Sequence, residues 1–306
     1  MKKIEYSNLS AGSSAEETRA AADVLKKDPA VLAVFAKNNI PAGRIDTHTW
    51  KIYEWRKQFE PCCHCQGLEH CGQKQKGFFM NLNDDGILHS DISACKYQRI
   101  LNQAEAHLAF YLVSDLPKDL RTVSFEGIDP ASSHNDTKEY ERVFVSAKKA
   151  ADAGESLFLS GSMGVGKTYL AACAANQYAR SKKNTAFIHY PTFTQRMVAG
   201  IKTGEYRIEM KRLCYADFLV IDDIGAESVT EWNRDQILLP ILNQRYENHL
   251  MTWFTSNDTL ETLKIHFRIS NRGKDEEYKA ARIIERISAM CSTISFAGSQ
   301  SVDRRL

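Results

Sequence analysis

The sequence predicts an α/β chain in two parts. The larger, C-terminal part reads as a parallel five-stranded sheet between helices, and the smaller, N-terminal part as mostly helical with one hairpin. Three observations carry this. From Leu120 onward, short apolar runs alternate with amphipathic segments of helical length, the pattern of parallel strands joined by crossover helices. One of those runs, residues 157–159, passes straight into Gly161-Ser162-Met163-Gly164-Val165-Gly166-Lys167-Thr168. And five of the eight cysteines, Cys62, Cys63, Cys65, Cys71 and Cys95, lie together in the N-terminal third.

At 306 residues the chain has room for two domains. The expected division is an N-terminal domain over 1–115, a polar linker over 116–130 containing Pro117, and the sheet domain over 131–306. Hydrophobic residues make up 43% and charged residues 25%, as in an ordinary globular chain. The net charge of +2 leaves no strongly basic domain, so any nucleic-acid contact is confined to a local groove. The first eight residues lack the apolar core of a secretory signal, and no apolar run approaches the roughly 18 residues that cross a bilayer. A cytoplasmic protein without membrane contact is expected.

In the N-terminal part, residues 15–27 and 30–37 carry Ala, Val, Leu and Phe at helical spacing, punctuated by Pro29 and Pro41. Trp50, Tyr53, Trp55 and Phe59 read as the core of a small domain. Cys62-x-x-Cys65 has the spacing of a zinc knuckle, with Cys71 as third and Cys95 as fourth ligand, the last returning from a hairpin over 77–92 whose turn is Asn83-Asp84-Asp85-Gly86. His64, His70 and His89 are alternatives for one sulfur, and Cys63 is the spare. In a reducing compartment such a cluster favours metal over disulfide, and a structural zinc would add folding free energy to a small core. Cys173, Cys214 and Cys291 sit among apolar neighbours as core thiols. Residues 97–111 read as a helix closing the domain.

The eight residues from Gly161 to Thr168 form a P-loop pattern. Its glycines let backbone N–H groups turn toward phosphate oxygens, and the alanine-rich helix that follows points its positive end at them. Lys167 is placed for the β- and γ-phosphates of ATP and Thr168 for Mg²⁺. Residues 185–190 form a second strand, and helices over 191–201 and 205–215 lead to a third strand, 218–221, that ends in Asp222-Asp223. Carboxylates at that end of a buried parallel strand face the ligand crevice. Asp222 suits Mg²⁺, and Asp223 suits polarisation of the attacking water. Residues 231–248 read as a helix kinked at Pro240. The next strand, 251–257, brings Asn257 beside the γ-phosphate if it is inserted between the P-loop strand and the Asp222 strand. A helix over 275–290 carries Arg282 and Arg286 one turn apart, and residues 291–296 form the last strand.

This order of parts resembles the AAA+ ATPases, and the extra pair of helices before Asp222 is similar to that of the replication-initiator branch. Leu219-Val220-Ile221-Asp222-Asp223-Ile224-Gly225-Ala226-Glu227-Ser228, Trp232-x-Arg234-Asp235, Phe254-Thr255-Ser256-Asn257 and the run from Arg272 to Ile287 resemble the DnaI-type primosomal helicase loaders of low-GC Gram-positive bacteria. The likeness is dense from about Leu120 onward; before that it rests mainly on the cysteine spacing. The resemblance implies Walker A at Gly161 to Thr168, Walker B at Asp222-Asp223, sensor 1 at Asn257, and an arginine finger acting on a neighbouring subunit at Arg286, with Arg282 the competing assignment. An ion pair of Arg286 with Glu285 or Asp275 is the structural alternative. Arg304 or Arg305 would stand for sensor 2. Walker B usually reads Asp-Glu, so Asp223 is one methylene shorter than the pattern.

The resemblance further implies a weak or partner-stimulated ATPase that uses ATP, Mg²⁺ and Zn²⁺. It would form nucleotide-dependent homo-oligomers, grip a hexameric replicative helicase through the N-terminal domain and deliver it onto single-stranded DNA. A DNA groove would use Arg196, Lys202, Arg207, Lys211 and Arg212, with Phe193 or Tyr206 for stacking. A transposition-type AAA+ partner and a non-hydrolysing, nucleotide-switched adaptor are the other readings.

Overall fold

The computed structural model describes residues 14–126, 137–269 and 276–296. The chain divides into two compact units, Met1–Ala104 and Glu105–Leu306.

In the first unit, α1 (Ala15–Leu25) starts at a capping box in which Ser14 and Glu17 satisfy each other's backbone N–H groups. Helix α2 (Pro29–Lys37) opens on Pro29, whose missing N–H costs nothing in a first turn, and is capped by Asp28. The buried Asp28 also accepts from Arg56 Nε at 2.8 Å. That arginine belongs to α4 (Thr49–Cys63), which follows the short α3 (Arg44–Thr47). The aromatic cluster is core as expected: Tyr53 and Trp55 are buried with Leu25, Val31 and Ile52, and Trp50 and Phe59 pack against them. Trp55 Nε1 donates to Met80 O at 2.8 Å, which ties α4 to the hairpin of β1 (Phe78–Asp84) and β2 (Leu88–Ala94). The two strands pair antiparallel from Phe78↔Ala94 to Asp84↔Leu88, with Gly86 at φ +106° in the turn.

The expected closing helix over 97–111 is shorter in the structure. Helix α5 (Lys96–Glu105) gives way to a 3₁₀ turn, and residues Tyr111–Ser114 form a strand, β3, of the second unit's sheet. Among the described residues the sheet therefore has six strands rather than five, in the order β3-β5-β6-β7-β4-β8, and the unit boundary falls at Ala104 rather than at 115. The physical reason is Asn176, a fully buried amide in the otherwise apolar middle of α7 (Lys167–Arg180). Its oxygen accepts from Tyr111 Oη at 2.8 Å, and its nitrogen donates to Leu120 O and Val123 O at 2.9 and 3.0 Å. These bonds fasten the segment after α5 onto α7.

The other strands are β4 (Leu157–Ser160), β5 (Thr185–His189), β6 (Phe218–Asp222), β7 (Met251–Ser256) and β8 (Ser292–Ser295), and every pairing in this sheet is parallel. Their central members are apolar throughout because both faces are covered. Phe158, Ile188, Leu219, Ile221 and Phe254 pack on one face, against α8 (Tyr190–Ala199), α9 (Glu205–Tyr215), α10 (Leu239–Glu247), α11 (Leu260–Arg268) and α12 (Glu277–Met290). Leu157, Leu159, Phe187, Phe218, Val220 and Trp253 pack on the other, against α7 and α6 (Thr137–Ala153). The alanine run of α7, Ala171 to Ala175 around Cys173, is fully buried; small side chains let the helix lie close on the sheet. The helix expected over 231–248 is present as a π-helical segment, Asn233–Leu238, running into α10. Pro240 lies in the first turn of α10, so the register change falls just ahead of the residue that cannot donate. No helix among the described residues is long and apolar enough to cross a membrane.

Replacing Asn176 by Leu removes the amide's hydrogen bonds with Tyr111 Oη, Leu120 O and Val123 O. The second unit should lose about 2–4 kcal/mol of stability, read as a lower guanidinium midpoint in circular dichroism.

Candidate nucleotide site

The site grows from the order of the strands. Strand β7 lies between β4 and β6, so the loop after β4, the end of β7 and the end of β6 meet at one edge of the sheet. Gly161 leaves β4 at φ +147°, and Gly166 precedes α7 at φ +100°. A Cβ at Gly161 would lie 2.8 Å from Phe296 Cβ, and one at Gly166 would lie 3.1 Å from the Tyr140 ring. The two rings are stacked, centroids 6.3 Å apart, so the loop rests on an aromatic backing supplied by α6 and the residue after β8. The glycines are required by conformation and by space alike.

Lys167 is buried and its Nζ donates to Gly161 O, Ser162 O and Asn257 Oδ1 at 2.8, 2.9 and 2.8 Å. Burial pushes its ammonium down from the usual lysine range, against the pull of Asp223 and Asp222. Thr168 Oγ1 and Thr255 Oγ1 both donate to Asp222 Oδ1, at 2.9 and 2.6 Å. Burial raises the Asp222 carboxyl, and the two hydroxyl bonds oppose the rise. Asp223 sits in the left-handed region at φ +61°, where a non-glycine residue is uncommon. Its N–H donates to Thr255 Oγ1 at 2.9 Å, its Oδ1 lies 3.5 Å from Asn257 Nδ2, and its Oδ2 lies 3.8 Å from His189 Nε2. The residues read from the sequence as Walker A, Asp222, Asp223 and Asn257 therefore converge. The loop and Lys167 fit a triphosphate, and the adjoining Thr168 and Asp222 oxygens fit a hard cation such as Mg²⁺.

Four contributors were not read from the sequence: Thr255, His189, Tyr140 and Phe296. A signal existed for His189, a polar residue closing a parallel strand in register with Asp222. None existed for the two rings, whose closeness to the loop is tertiary.

The loop after Asp223 is fastened separately. Gly225 N–H donates to Glu227 Oε2 at 2.9 Å, and the buried Glu227 Oε1 lies 3.6 Å from His266 Nε2 on α11, an ion-pair separation.

The two arginines of α12 differ. Arg286 Nε donates to Asn243 Oδ1 at 3.0 Å, and its guanidinium lies 4.8 Å from the centre of the Tyr246 ring. Arg282 is exposed. Asp275, Arg304 and Arg305 lie outside the described residues. The basic groove expected on α8 and α9 is only partly present. Arg196 is held by Asp115 and Glu209, and Phe193 is fully buried, so it cannot stack on a base. Tyr206 packs edge-on against Trp232. Lys202, Arg207, Lys211 and Arg212 are exposed.

In the N-terminal unit, Cys62 Sγ accepts from Gln73 Nε2 at 3.2 Å, Cys71 Sγ from Gly77 N–H at 3.4 Å and Cys95 Sγ from Gln98 N–H at 3.5 Å. Burial raises the Cys62 thiol, and Cys65, Cys71 and Cys95 beside it add to the rise. Cys63 lies apart, near Arg56 and Phe59 O. Among the described residues no three His, Cys, Asp or Glu side chains stand in a metal-ligating arrangement.

Comparison with known proteins agrees with the geometry. A family model described as IstB-like ATP binding protein matches residues 136–303, more than half of the chain. The chain belongs to the IstB-like ATP-binding family. The replicative helicase loader DnaI of Bacillus subtilis is 29% identical to it over 277 residues, 89% of each chain. A putative insertion sequence ATP-binding protein of Sinorhizobium fredii is 26% identical over 112 residues, 36% of this chain and 45% of that one. A crystal structure of DnaI superposes with a TM-score of 0.53 at 26% identity, covering 62% of this chain and 98% of that one. The IstB-like part is thus an AAA+ P-loop unit on a parallel sheet.

The His266–Glu227 pair generates a pH prediction. Glu227 holds the His266 imidazole above its usual range. A raised folded-state value means the pair's stabilisation is complete below the unfolded value of 6.5 and is lost as pH rises through the folded one. The melting-temperature gap between wild type and His266→Gln should be largest near about pH 6 and shrink toward about pH 9.

Proposed function

We propose that this chain is an ATP-switched loader that binds a hexameric replicative helicase and delivers it onto single-stranded DNA. The observation that carries the reading is the meeting of Lys167, Thr168, Asp222, Asp223 and Asn257 at one edge of the sheet, in a chain that matches a helicase loader over 89% of both lengths. The insertion-sequence relative matches only 36% of this chain, which favours the loader over a transposition partner. A non-hydrolysing adaptor differs from the loader only in turnover.

In this reading the γ-phosphate replaces Asn257 and the loop carbonyls as the partner of Lys167. Thr168 and Asp222 would hold Mg²⁺, which would supply charge neutralisation at the phosphates. Asp223 takes the proton side of the attacking water and Asn257 orients between Asp223 and the phosphate. Loss of the γ-phosphate then returns Lys167 to Asn257, a local change suited to a switch. Arg282 and Arg286 remain the candidates for a finger in trans; the exposure of Arg282 favours it, since Arg286 is engaged with Asn243 and Tyr246 of its own chain. DNA would be met by Lys202, Arg207, Lys211 and Arg212 through its phosphates.

The N-terminal unit is proposed to grip the helicase and to hold one zinc through Cys62, Cys65, Cys71 and Cys95. Support comes from the four-thiol donor set and from the N–H groups aimed at three of the sulfurs, as around ligating thiolates. The free energy of binding would draw the sulfurs into a tetrahedron.

Two experiments test this. Lys167→Ala removes the ammonium aimed at the phosphates; calorimetry should find ATP binding lost with the fold retained, and ATP-dependent association with purified hexameric helicase lost with it. Unchanged affinity would remove the nucleotide-site assignment. Elemental analysis should find about one zinc per chain, released by Cys62→Ser or Cys95→Ser with loss of the first unit's structure alone, while Cys63→Ser stays near wild type. A metal-free wild-type protein would contradict the zinc assignment.

A further inference from the structure

Five cations meet at the end of α7 opposite the phosphate loop. Arg180 is the last residue of the helix. Lys182 and Lys183 follow it in the turn to β5, with Lys182 in the left-handed region at φ +60°. Lys118 and Arg121 come from a separate segment, on the 3₁₀ turn Lys118–Leu120 and the residue after it. Arg180 brings the two segments together: its Nη1 and Nη2 donate to Val123 O and Thr122 O at 3.3 and 2.9 Å, one turn beyond the bonds from Asn176 to Leu120 O and Val123 O. Lys118, Arg180, Lys182 and Lys183 are exposed, and Arg121 is half-buried. Residues 118–124 and 180–184 hold these five cations and one carboxylate, Asp119. Asp217 adjoins them, accepting from Asn184 N–H at 2.9 Å. Among the described residues none of the five cations forms an ion pair.

The carbonyl end of a helix favours cations, which accounts for Arg180, Lys182 and Lys183. It does not account for Lys118 and Arg121, which arrive from elsewhere and raise the charge of a surface already positive. The whole chain carries only +2, so five cations against one carboxylate is far from its average. No large apolar or aromatic side chain of the two segments is exposed. A protein interface has an apolar centre, and a single strand is held by rings on which its bases stack; this surface offers neither. A duplex presents phosphates on its outside, one charge per about 1.7 Å of axis, and is held without regard to sequence by cations alone. The surface also adjoins the end of α9. Asn184 O accepts from Phe218 N–H at 3.3 Å, and Ala216 N–H closes the last turn of α9 on Arg212 O at 3.0 Å. We propose that the end of α7 and the segment 118–123 hold the phosphates of a DNA duplex, so that the chain binds a junction, with the single strand along α9 and the double strand here. The inference rests on the reading of α9 as the single-strand contact.

The test uses the full chain with ATP and Mg²⁺ and three labelled probes: oligothymidylate, a blunt duplex, and the same duplex with a thymidylate tail. Binding is followed by fluorescence anisotropy over a range of salt concentrations. Three double variants are compared: Lys182→Gln/Lys183→Gln at the end of α7, Lys211→Gln/Arg212→Gln on α9, and Lys27→Gln/Lys37→Gln in the first unit, which changes the net charge equally. Arg180 is left in place because it holds the segment 118–123. The wild type should bind the tailed duplex more tightly than either other probe. The α7 variant should lose about tenfold or more in affinity for both duplex probes, with a salt slope lower by about two, and stay within about twofold for oligothymidylate. The α9 variant should show the reverse, and the first-unit variant should match the wild type. Melting curves establish that each variant is folded. A wild type that binds neither duplex probe, an α7 variant within about twofold of it on both, or an equal loss in the first-unit variant overturns the duplex surface. So does an α7 variant that keeps its DNA affinity and loses association with purified hexameric helicase, which would assign the patch to an acidic protein surface. An α9 variant with unchanged oligothymidylate affinity overturns instead the reading of α9 on which the junction rests.

Discussion

The Asp222 carboxylate is the contact on which the nucleotide site depends. It lies almost wholly out of water, and one of its oxygens takes hydroxyl bonds from Thr168 at the start of α7 and Thr255 near the end of β7. A buried carboxylate is costly unless its acceptors are met, so three elements must arrive together or the site is strained. Thr255 also accepts the N–H of Asp223, which places the second carboxylate by way of the first. Lys167 closes the group from the other side through Asn257. The arrangement is preorganised by the sheet, with the lysine ammonium already held by Gly161 O, Ser162 O and Asn257.

Away from that edge, buried arginines do the work of joining layers. Arg245 is fully buried, and among the described residues its guanidinium bonds no carboxylate. It donates to Leu213 O and Ala216 O at the end of α9, to Met251 O at the start of β7 and to Thr252 Oγ1. Burial pushes the guanidinium down to about 9, yet carbonyls left over at a helix end are suitable partners for a cation. Arg234, in the π-helical segment, bonds Asp235 and Phe267 O and pairs with Glu276 beside α12. Arg245 joins α9 and α10 to the start of β7, and Arg234 joins the π-helical segment to α11 and to the residue before α12.

Much of this molecule was written in one-dimensional signals. The glycine spacing of the phosphate loop, the apolar strand that ends in Asp222-Asp223 and the alanine run of α7 announce themselves because each local preference agrees with the global fold. The hairpin turn at Asn83 to Gly86 and the aromatic core around Trp55 were legible for the same reason. The position of β7 between β4 and β6 was a condition read from Asn257, and the sheet order satisfies it.

What the sequence by itself determined is which residue types stand in chemistry-bearing patterns; what only the tertiary structure decided is which of them meet and which are taken up by other contacts. Arg196 and Lys202 look alike in the chain, but one is held by Asp115 and Glu209 and the other is exposed. Phe193 and Tyr206 both read as stacking residues until burial separates them. Arg286 is taken up by Asn243 and Tyr246. Tyr111 reads as the last residue of a helix, yet it begins a strand, and Asn176, far along the chain, holds that segment on α7. In every case the deciding term is a contact between residues distant in sequence. Its energy depends on burial and on geometry, and neither is a property of the local pattern.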